Sequence, residues 1–419
     1  MITMISIRRA VTRTTAGAVL VVAAACSDSF VEVTNPDVID AATVDPTSGA
    51  TTLALSAQQN FATAYGWLAM YSGWFTEEAN IADTFPTRNE FGFRLITDLN
   101  TSLNGDVWQP ISLATASAKT VMDLDLPNPT SNINYARAAT FRGFSILMIG
   151  TDFCTGALSS GPELTTAQLL DSAIVYFTKG VDIGKANATA DGIALANASL
   201  VGRARAKLQK GDKAGAAADA AAVPAGFNFD LRMTDDLSNR TRLSNRIYQF
   251  TFDRTSISVA PFYRVSDSRV QYIAPGQPGA LNGQDAVPGG FYRQTKFNGY
   301  ASSMRLASKL EADYIAAEAG DATAQLALIA ARRTAASQPA YTGATDAASV
   351  LAELMTQKAF DFYLEGKRLA DFRRVPAAIK SMTPAGGVYF KPGYANVGNQ
   401  TCYPLPRVER DNNPNMKTN

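Results

Sequence analysis

Long stretches of this chain repeat their apolar residues at helical spacing, with turn residues between them, so the chain has to fold largely as packed helices. From Ala50 to about Ala82 the repeat carries Phe61, Tyr65, Trp67, Leu68, Tyr71, Trp74 and Phe75, and it breaks at Asp83, Thr84 and Pro86. A helical or mixed segment is expected over Asn104–Asp125, closed by Pro127 and Pro129, and a strongly apolar helix over Asn134–Phe153. Leu164–Ala186 and Ile193–Lys210 read as a helix pair, followed after the Gly211-Asp212 turn by Lys213–Ala222. Small residues at Ala196, Gly202 and Ala206 let helices approach closely. Phe227–Asn298 differs: prolines, glycines and short β-prone runs (Ile247–Phe252, Arg269–Ile273, Gly290–Tyr292) predict loops and short strands. Helices are expected again over Ser303–Ala319, Thr323–Ala336 and Ala347–Phe362.

Chemistry is narrowed by what the chain lacks. It has 419 residues and no histidine, which removes the commonest general base and metal ligand. Its 38 basic and 37 acidic residues nearly cancel, and without residues 1–25 the balance is 35 against 37, a net of −2. Such a chain is no phosphate-driven nucleic-acid binder. Glu77 and Glu78 are adjacent, so on a helix they diverge by about a hundred degrees and cannot flank one glycosidic bond; a solvated or capping role is expected. Asp152, Asp235 and Asp236 lack the spacing of a metal loop. No catalytic residue, metal or cofactor is expected.

The first 25 residues carry Arg8, Arg9 and Arg13 before a short apolar run, Ala16 to Ala25, that ends at Cys26. The run is too short for a comfortable membrane span and fits a signal-peptide core. Small residues before Cys26 read as a lipobox, with Ala23 where Leu is usual, so Cys26 is the expected lipidation (palmitate) site; the alternative is an ordinary secretory leader with a chance cysteine. Residues 26–49 then form a lipidated, flexible tether, and residues 50–419 a single domain. Cys154 and Cys402 remain, and in an oxidising compartment they either pair or stay free.

The most distinctive stretch is Leu351 to Arg374. Its helical apolar pattern is interrupted at Glu365-Gly366, and its charges change there, from Lys358 and Asp361 to Lys367, Arg368, Asp371, Arg373 and Arg374. It resembles the late helix of SusD/RagB-type outer-membrane lipoproteins, whose usual run is ER-x-x-E-F-x-x-E-G-x-R-x-x-D-L-x-R. Here Gln357-Lys358 replaces Glu-Arg, and Phe372 replaces Leu. Four further blocks resemble the family in order: the Asn35-Pro36 segment after the cysteine; the helix with Arg137, Phe141, Arg142 and Phe144; Tyr292–Phe297 followed by Arg305, Glu311, Tyr314 and Ala317-Glu318-Ala319; and the tail Tyr403-Pro404-Leu405-Pro406, Glu409, Asn413-Pro414-Asn415, with Arg410 in the place of a leucine. The resemblance implies a mainly α fold of tetratricopeptide-like helix pairs (an α-α superhelix), with the scaffold mainly in 134–222 and 303–374 and an irregular loop-rich half, containing short strands, in 227–300.

It also implies a non-catalytic role at the bacterial outer membrane. A lipid-anchored protein, facing the cell surface, would bind a glycan, oligosaccharide or peptide and deliver it to a TonB-dependent, SusC-like barrel. Two other classes remain open, an exported α-helical polysaccharide-active enzyme and a protein-binding adaptor. Ligand contacts are expected from aromatic faces, which stack on sugar rings. The candidates are Trp67, Tyr71 and Trp74, on one helix face in a pattern that a buried stripe also shows, with Trp108, Tyr272, Phe291 and Tyr292. The charged cluster Glu365, Arg368, Asp371 and Arg374 is expected to fix a helix junction.

Overall fold

Helix α1 (Gly49–Phe75) is the element on which the others are laid. The computed structural model describes residues 49–416; the expected leader, Cys26 and the tether up to residue 48 lie outside them. Nearly every residue of α1 from Phe61 to Phe75 is buried, so it packs on all sides rather than on one stripe. The helical pattern continues on paper to Ala82, but α1 stops at Phe75 and residues Ala79–Ile81 form strand β1. Helix α2 (Pro86–Gly92) follows, then a π-helical turn (Leu103–Trp108) that runs into α3 (Gln109–Met122) and α4 (Ile133–Asp152).

The scaffold continues through two short strands, β2 (Thr155–Gly156) and β3 (Leu164–Thr165), into α5 (Thr166–Asn187), α6 (Ala190–Gln209) and α7 (Lys213–Ala221). Each start has its cap. Thr165 and Gln168 form a reciprocal capping box, and Thr189 and Asp212 accept from Gly192 and Gly215. Consecutive helices α4 to α7 pack pairwise, in the manner of tetratricopeptide repeats. The close approach is made by glycine: a Cβ at Gly202 would lie 2.4 Å from the Phe177 ring.

The loop-rich half holds β4 (Asn228–Leu231), α8 (Arg240–Leu243), α9 (Arg246–Phe252), β5 (Ile257–Val259), β6 (Tyr272–Ile273), β7 (Arg293–Gln294) and β8 (Met304–Ser308). Strands pair antiparallel in the order β1-β5-β7-β6, and β4 pairs with β8 around a bulge at Phe229/Asp230. Two local expectations fail here. The β-prone run Ile247–Phe252 is helical, because Asn245 caps the Tyr248 N–H and Ile247 and Phe250 are then buried. The first residues of the expected Ser303–Ala319 helix are strand β8, held by β4; Ser308 then caps α10 (Lys309–Ala319). Helices α11 (Ala322–Ala335), α12 (Ala347–Asp361), α13 (Arg368–Arg374) and α14 (Arg407–Asn412) complete the mainly α chain.

The junction between α12 and α13 is pressed onto α1. Leu364 and Gly366 adopt positive φ (56° and 66°), and a Cβ on Gly366 would lie 3.0 Å from the Ala69 Cα. The Tyr65 hydroxyl donates to the Glu365 carbonyl, and the Leu364 N–H donates to Glu78 at 2.9 Å. Glu77 and Glu78 are thus not solvated. Glu78 is buried, and Glu77 accepts from both the N–H and the hydroxyl of Thr383.

Around the junction, charges satisfy one another. Arg305 grips Glu365 through two nitrogens (2.8 and 3.0 Å), with Lys296 also on Glu365 at 2.8 Å. Arg374 grips Glu318 bidentately (2.6 and 2.7 Å) and also reaches Asp371, which Lys358 holds at 2.7 Å. Arg368 donates to the Met355 carbonyl and to Ser381. Burial would push the Asp371 carboxyl up, but Lys358 and Arg374 overcome it and bring it down to about 2. Glu78 goes the other way: burial outweighs the Leu364 N–H and Arg368 and pushes it up to about 7.

The C-terminal tail is tied to the end of α4. Tyr403 bridges Phe153 in parallel, and Cys154 and Cys402 form a disulfide with their Cα atoms 5.1 Å apart. Beside it, one Arg373 nitrogen donates to the carbonyls of Gly150, Thr151 and Phe153, capping the helix end with a positive charge.

Two outcomes are expected. Because folded Glu78 holds its proton more tightly than the unfolded chain, it costs stability progressively as pH rises from 4.5 to 7. Urea unfolding should therefore show Glu78→Gln gaining about 3 kcal/mol on wild type between pH 4.5 and 8. Replacing Cys154 and Cys402 by alanine should cost about 2–4 kcal/mol, and the wild-type cysteines should take up iodoacetamide only after reduction, read by mass.

Candidate functional site: an aromatic ridge over an arginine–aspartate pit

Helix α9 carries two aromatic faces because residues four apart align and residues two apart oppose. Arg246 and Phe250 face α1; Tyr248 and Phe252 face outward. On the inner face, Gly66 makes room for the Arg246 stem, since a Cβ there would lie 3.1 Å from its Cγ. The Arg246 guanidinium then lies 4.4 Å from the centroid of half-buried Trp67, and Phe250 meets Trp67 edge-on at 5.5 Å. Arg88 joins from α2, 5.0 Å from Phe250 and 4.4 Å from Phe85, whose ring is 54% exposed. On the outer face Tyr248 stacks on Phe252 at 5.4 Å, and Tyr300 meets Tyr248 edge-on. Arg293 and Arg240 lie over Phe252 and Tyr300.

Beneath the ridge lies Asp106, in the π-helical turn. Such turns recur at functional sites, because the extra residue re-aims a side chain. The Tyr71 hydroxyl donates to Asp106, while Arg88 and Arg246 act on it through their charge without closing an ion pair among the described residues. Burial raises the Asp106 carboxyl, against the pull of Tyr71 and the two arginines; burial also lowers Arg246 to about 10, and Asp106 opposes that. The Nε groups of both Arg88 and Arg246 are buried and make no hydrogen bond among the described residues. Arg88 is ion-paired with Asp83 at 2.6 Å, and Arg246 donates to Gln249 and to the Arg242 carbonyl, so the two guanidiniums and Asp106 form a bonded polar floor beside the aromatic faces. That combination binds hydroxyl groups and ring C–H faces together.

The expected aromatic residues fall in different places. Trp67 and Tyr71 belong to this site, Trp67 as a wall and Tyr71, fully buried, as the donor to Asp106. Trp74 is also buried (1% exposed) and has no solvent face. Trp74 is thereby corrected to core, and two further residues with it. Trp108 is buried edge-on to Phe153 with its indole N–H on Glu409, and Phe291 packs with Ala82 and Val287. Tyr272 and Tyr292 meet at 5.6 Å on the four-stranded sheet, with Arg264 3.9 Å from the Tyr292 centroid; Tyr272 borders a shallow depression of about 750 Å³. Phe85, Arg88, Asp106 and Arg246 were not singled out from the sequence. Isolated charges and a phenylalanine before a proline carry no local signal of a site.

Among the described residues no group of three or more metal-ligating side chains forms, and no helix is long and apolar enough to cross a membrane. No protein-family model matches the sequence, and no curated protein matches it. Solved structures do. A SusD superfamily protein from Parabacteroides distasonis is 14% identical, with a TM-score of 0.64 over 90% of this chain and 99% of that one. One from Bacteroides fragilis is 15% identical, with a TM-score of 0.64 over 89% and 100%. A laminarin-binding SusD-like protein is 14% identical, with a TM-score of 0.57 over 85% and 96%. The chain has the fold of the SusD superfamily.

Proposed function

We propose that this protein is a non-catalytic surface lipoprotein that captures glycans or oligosaccharides at the bacterial outer membrane. Acylated Cys26 anchors it, residues 26–49 tether it, and a TonB-dependent, SusC-like barrel receives its cargo. The observation that carries the reading is the ridge: exposed Phe85 and Phe252 and half-buried Trp67, Tyr248 and Tyr300 cluster with Arg88, Arg246 and the Asp106 that accepts from Tyr71. Aromatic faces without such polar groups would suit a protein partner as well; together they suit a hydroxylated chain. The laminarin binding of one structural neighbour supports this ligand class. The leader, the lipobox and the absence of histidine support the location and the non-catalytic role.

Affinity gel electrophoresis of the mature chain against laminarin and a panel of other polysaccharides tests the ligand class. Retardation by at least one polysaccharide is expected, weakened about tenfold by Phe85→Ala or Phe252→Ala, the loss of one aromatic contact. Binding that neither substitution changes would place the ligand elsewhere. A pull-down of tagged protein from gently solubilised outer membranes should recover a TonB-dependent barrel; recovery of soluble proteins alone would count against delivery.

A further inference from the structure

Strand β4 is paired on one side only: β8 takes one edge, and no other strand joins it among the described residues. An edge strand leaves N–H and C=O groups facing outward, a template for one more strand. Residues of β4, α1, α4 and α6, and none of β8, line a groove of about 450 Å³ that opens to solvent. Its walls are apolar at Leu55 and Leu195 and polar at Gln59 and Arg137. Leu55 is 49% exposed, on a helix that is otherwise the core of the fold. The Gln59 amide nitrogen is buried and makes no hydrogen bond among the described residues. Such a donor costs stability until a carbonyl reaches it.

The chain itself supplies an occupant, the stretch that enters α1. Gly49 stands six residues before Leu55, about 9 Å along the helix. Residues 26–48 precede it and extend to about 75 Å, so all of β4 is within their reach. In that stretch Phe30-Val31-Glu32-Val33-Thr34 is a run of β-formers around a single charge. Asn35-Pro36 ends the run, because proline has no N–H to give a ladder. Charge agrees. Residues 26–48 hold Asp28, Glu32, Asp37, Asp40 and Asp45 and no basic residue. Arg232, on the groove, is exposed and in no ion pair among the described residues, while the acids of the rim, Asp230 and Asp191, are taken up by Asn228 and Arg137. Because the segment and the groove share one chain, the effective concentration is about millimolar, and weak main-chain pairing suffices.

We infer that Phe30–Thr34 adds to the free edge of β4 as a third strand. Main-chain hydrogen bonds hold it, as in other strand additions to a sheet edge. Val31 and Val33 turn inward onto Leu55 and Leu195, and Glu32, on the opposite face, lies beside Arg232. A carbonyl of the added strand accepts from the Gln59 amide. Once docked, only Ser27, Asp28 and Ser29 separate Cys26 from the folded body, a reach of about 10 Å against about 75 Å for the released stretch. The tether then has two lengths, and the groove selects between them. That consequence rests on the acylation of Cys26 proposed above; the docking does not.

Hydrogen exchange read by mass tests this on the mature chain carrying Cys26→Ser, which stays unacylated. Amides of residues 30–34 are expected to exchange at least tenfold more slowly than those of residues 37–48, by a ratio that dilution does not change. Two variants probe the two partners: Val31→Asp with Val33→Asp, outside the folded body, and Leu55→Glu, at an exposed site. Each is expected to abolish the protection and to speed exchange of the Asp230–Arg232 amides. Equal exchange in the two stretches, or protection that neither variant removes, would overturn the docking. Protection that falls on dilution would assign the groove to a second copy and overturn it as well. Acylation is read separately, from the mass of wild type extracted from membranes. An unmodified Cys26 with residues 30–34 protected would reject the anchor and keep the strand; an acylated Cys26 with those residues unprotected would do the reverse.

Discussion

At Gly366 the chain returns to its first described helix with no side chain between the two backbones, and the neighbouring contacts depend on that approach. The Glu365 carbonyl reaches the Tyr65 hydroxyl, and the Leu364 N–H reaches Glu78, only because the turn lies flat on Ala69. Glu78 closes the far end of α1, and from there the chain enters β1 and the sheet. The turn also orients α13, whose Arg373 and Arg374 extend in different directions, one to the end of α4 and the other to α10. One close backbone contact thus sets the relation of α1, the helical scaffold and the sheet-bearing half.

The ionic groups around that turn define the arrangement more than they stabilise it. Desolvating a carboxylate and a guanidinium costs several kcal/mol, which their attraction offsets only when geometry and hydrogen bonds are complete. Here they are nearly so. Glu365, Glu318 and Asp361 each take a two-nitrogen grip from an arginine, and Glu311 takes Arg205 and Lys367. Separating one partner of such a pair leaves the other charge buried and uncompensated, so the pairs penalise any displacement of α13 from its seat.

Much of this was legible from residue spacing, and the failures are instructive. Helices α4 to α7 appear within a few residues of their expected bounds, because apolar period, Gly-Asp turn and capping residues agree there. The Glu365-Gly366 break was visible as a change of charge and a glycine. Where strand pairing decides, spacing misled: Met304–Ser308 has helical neighbours and becomes a strand because β4 lies beside it. Ile247–Phe252 has β-prone residues and becomes a helix because of Asn245 and the burial of Ile247 and Phe250. The site was half legible. Trp67 and Tyr71 stood out as aromatics, but Arg88, Asp106 and Arg246 come from three segments that only the fold brings together. Their partner atoms lie in other parts of the chain, and a linear pattern does not record that.

The bond between Cys154 and Cys402 spans 248 positions, which include the whole loop-rich half. A protease cutting once anywhere inside that span opens a ring and releases nothing. Both pieces stay covalently joined, with the helical pairs still holding them in register. Surface loops of this half are thereby free to be long, glycine-rich and open to solvent, since their first cleavage does not shed the domain. A single cut thus becomes a survivable event for this chain.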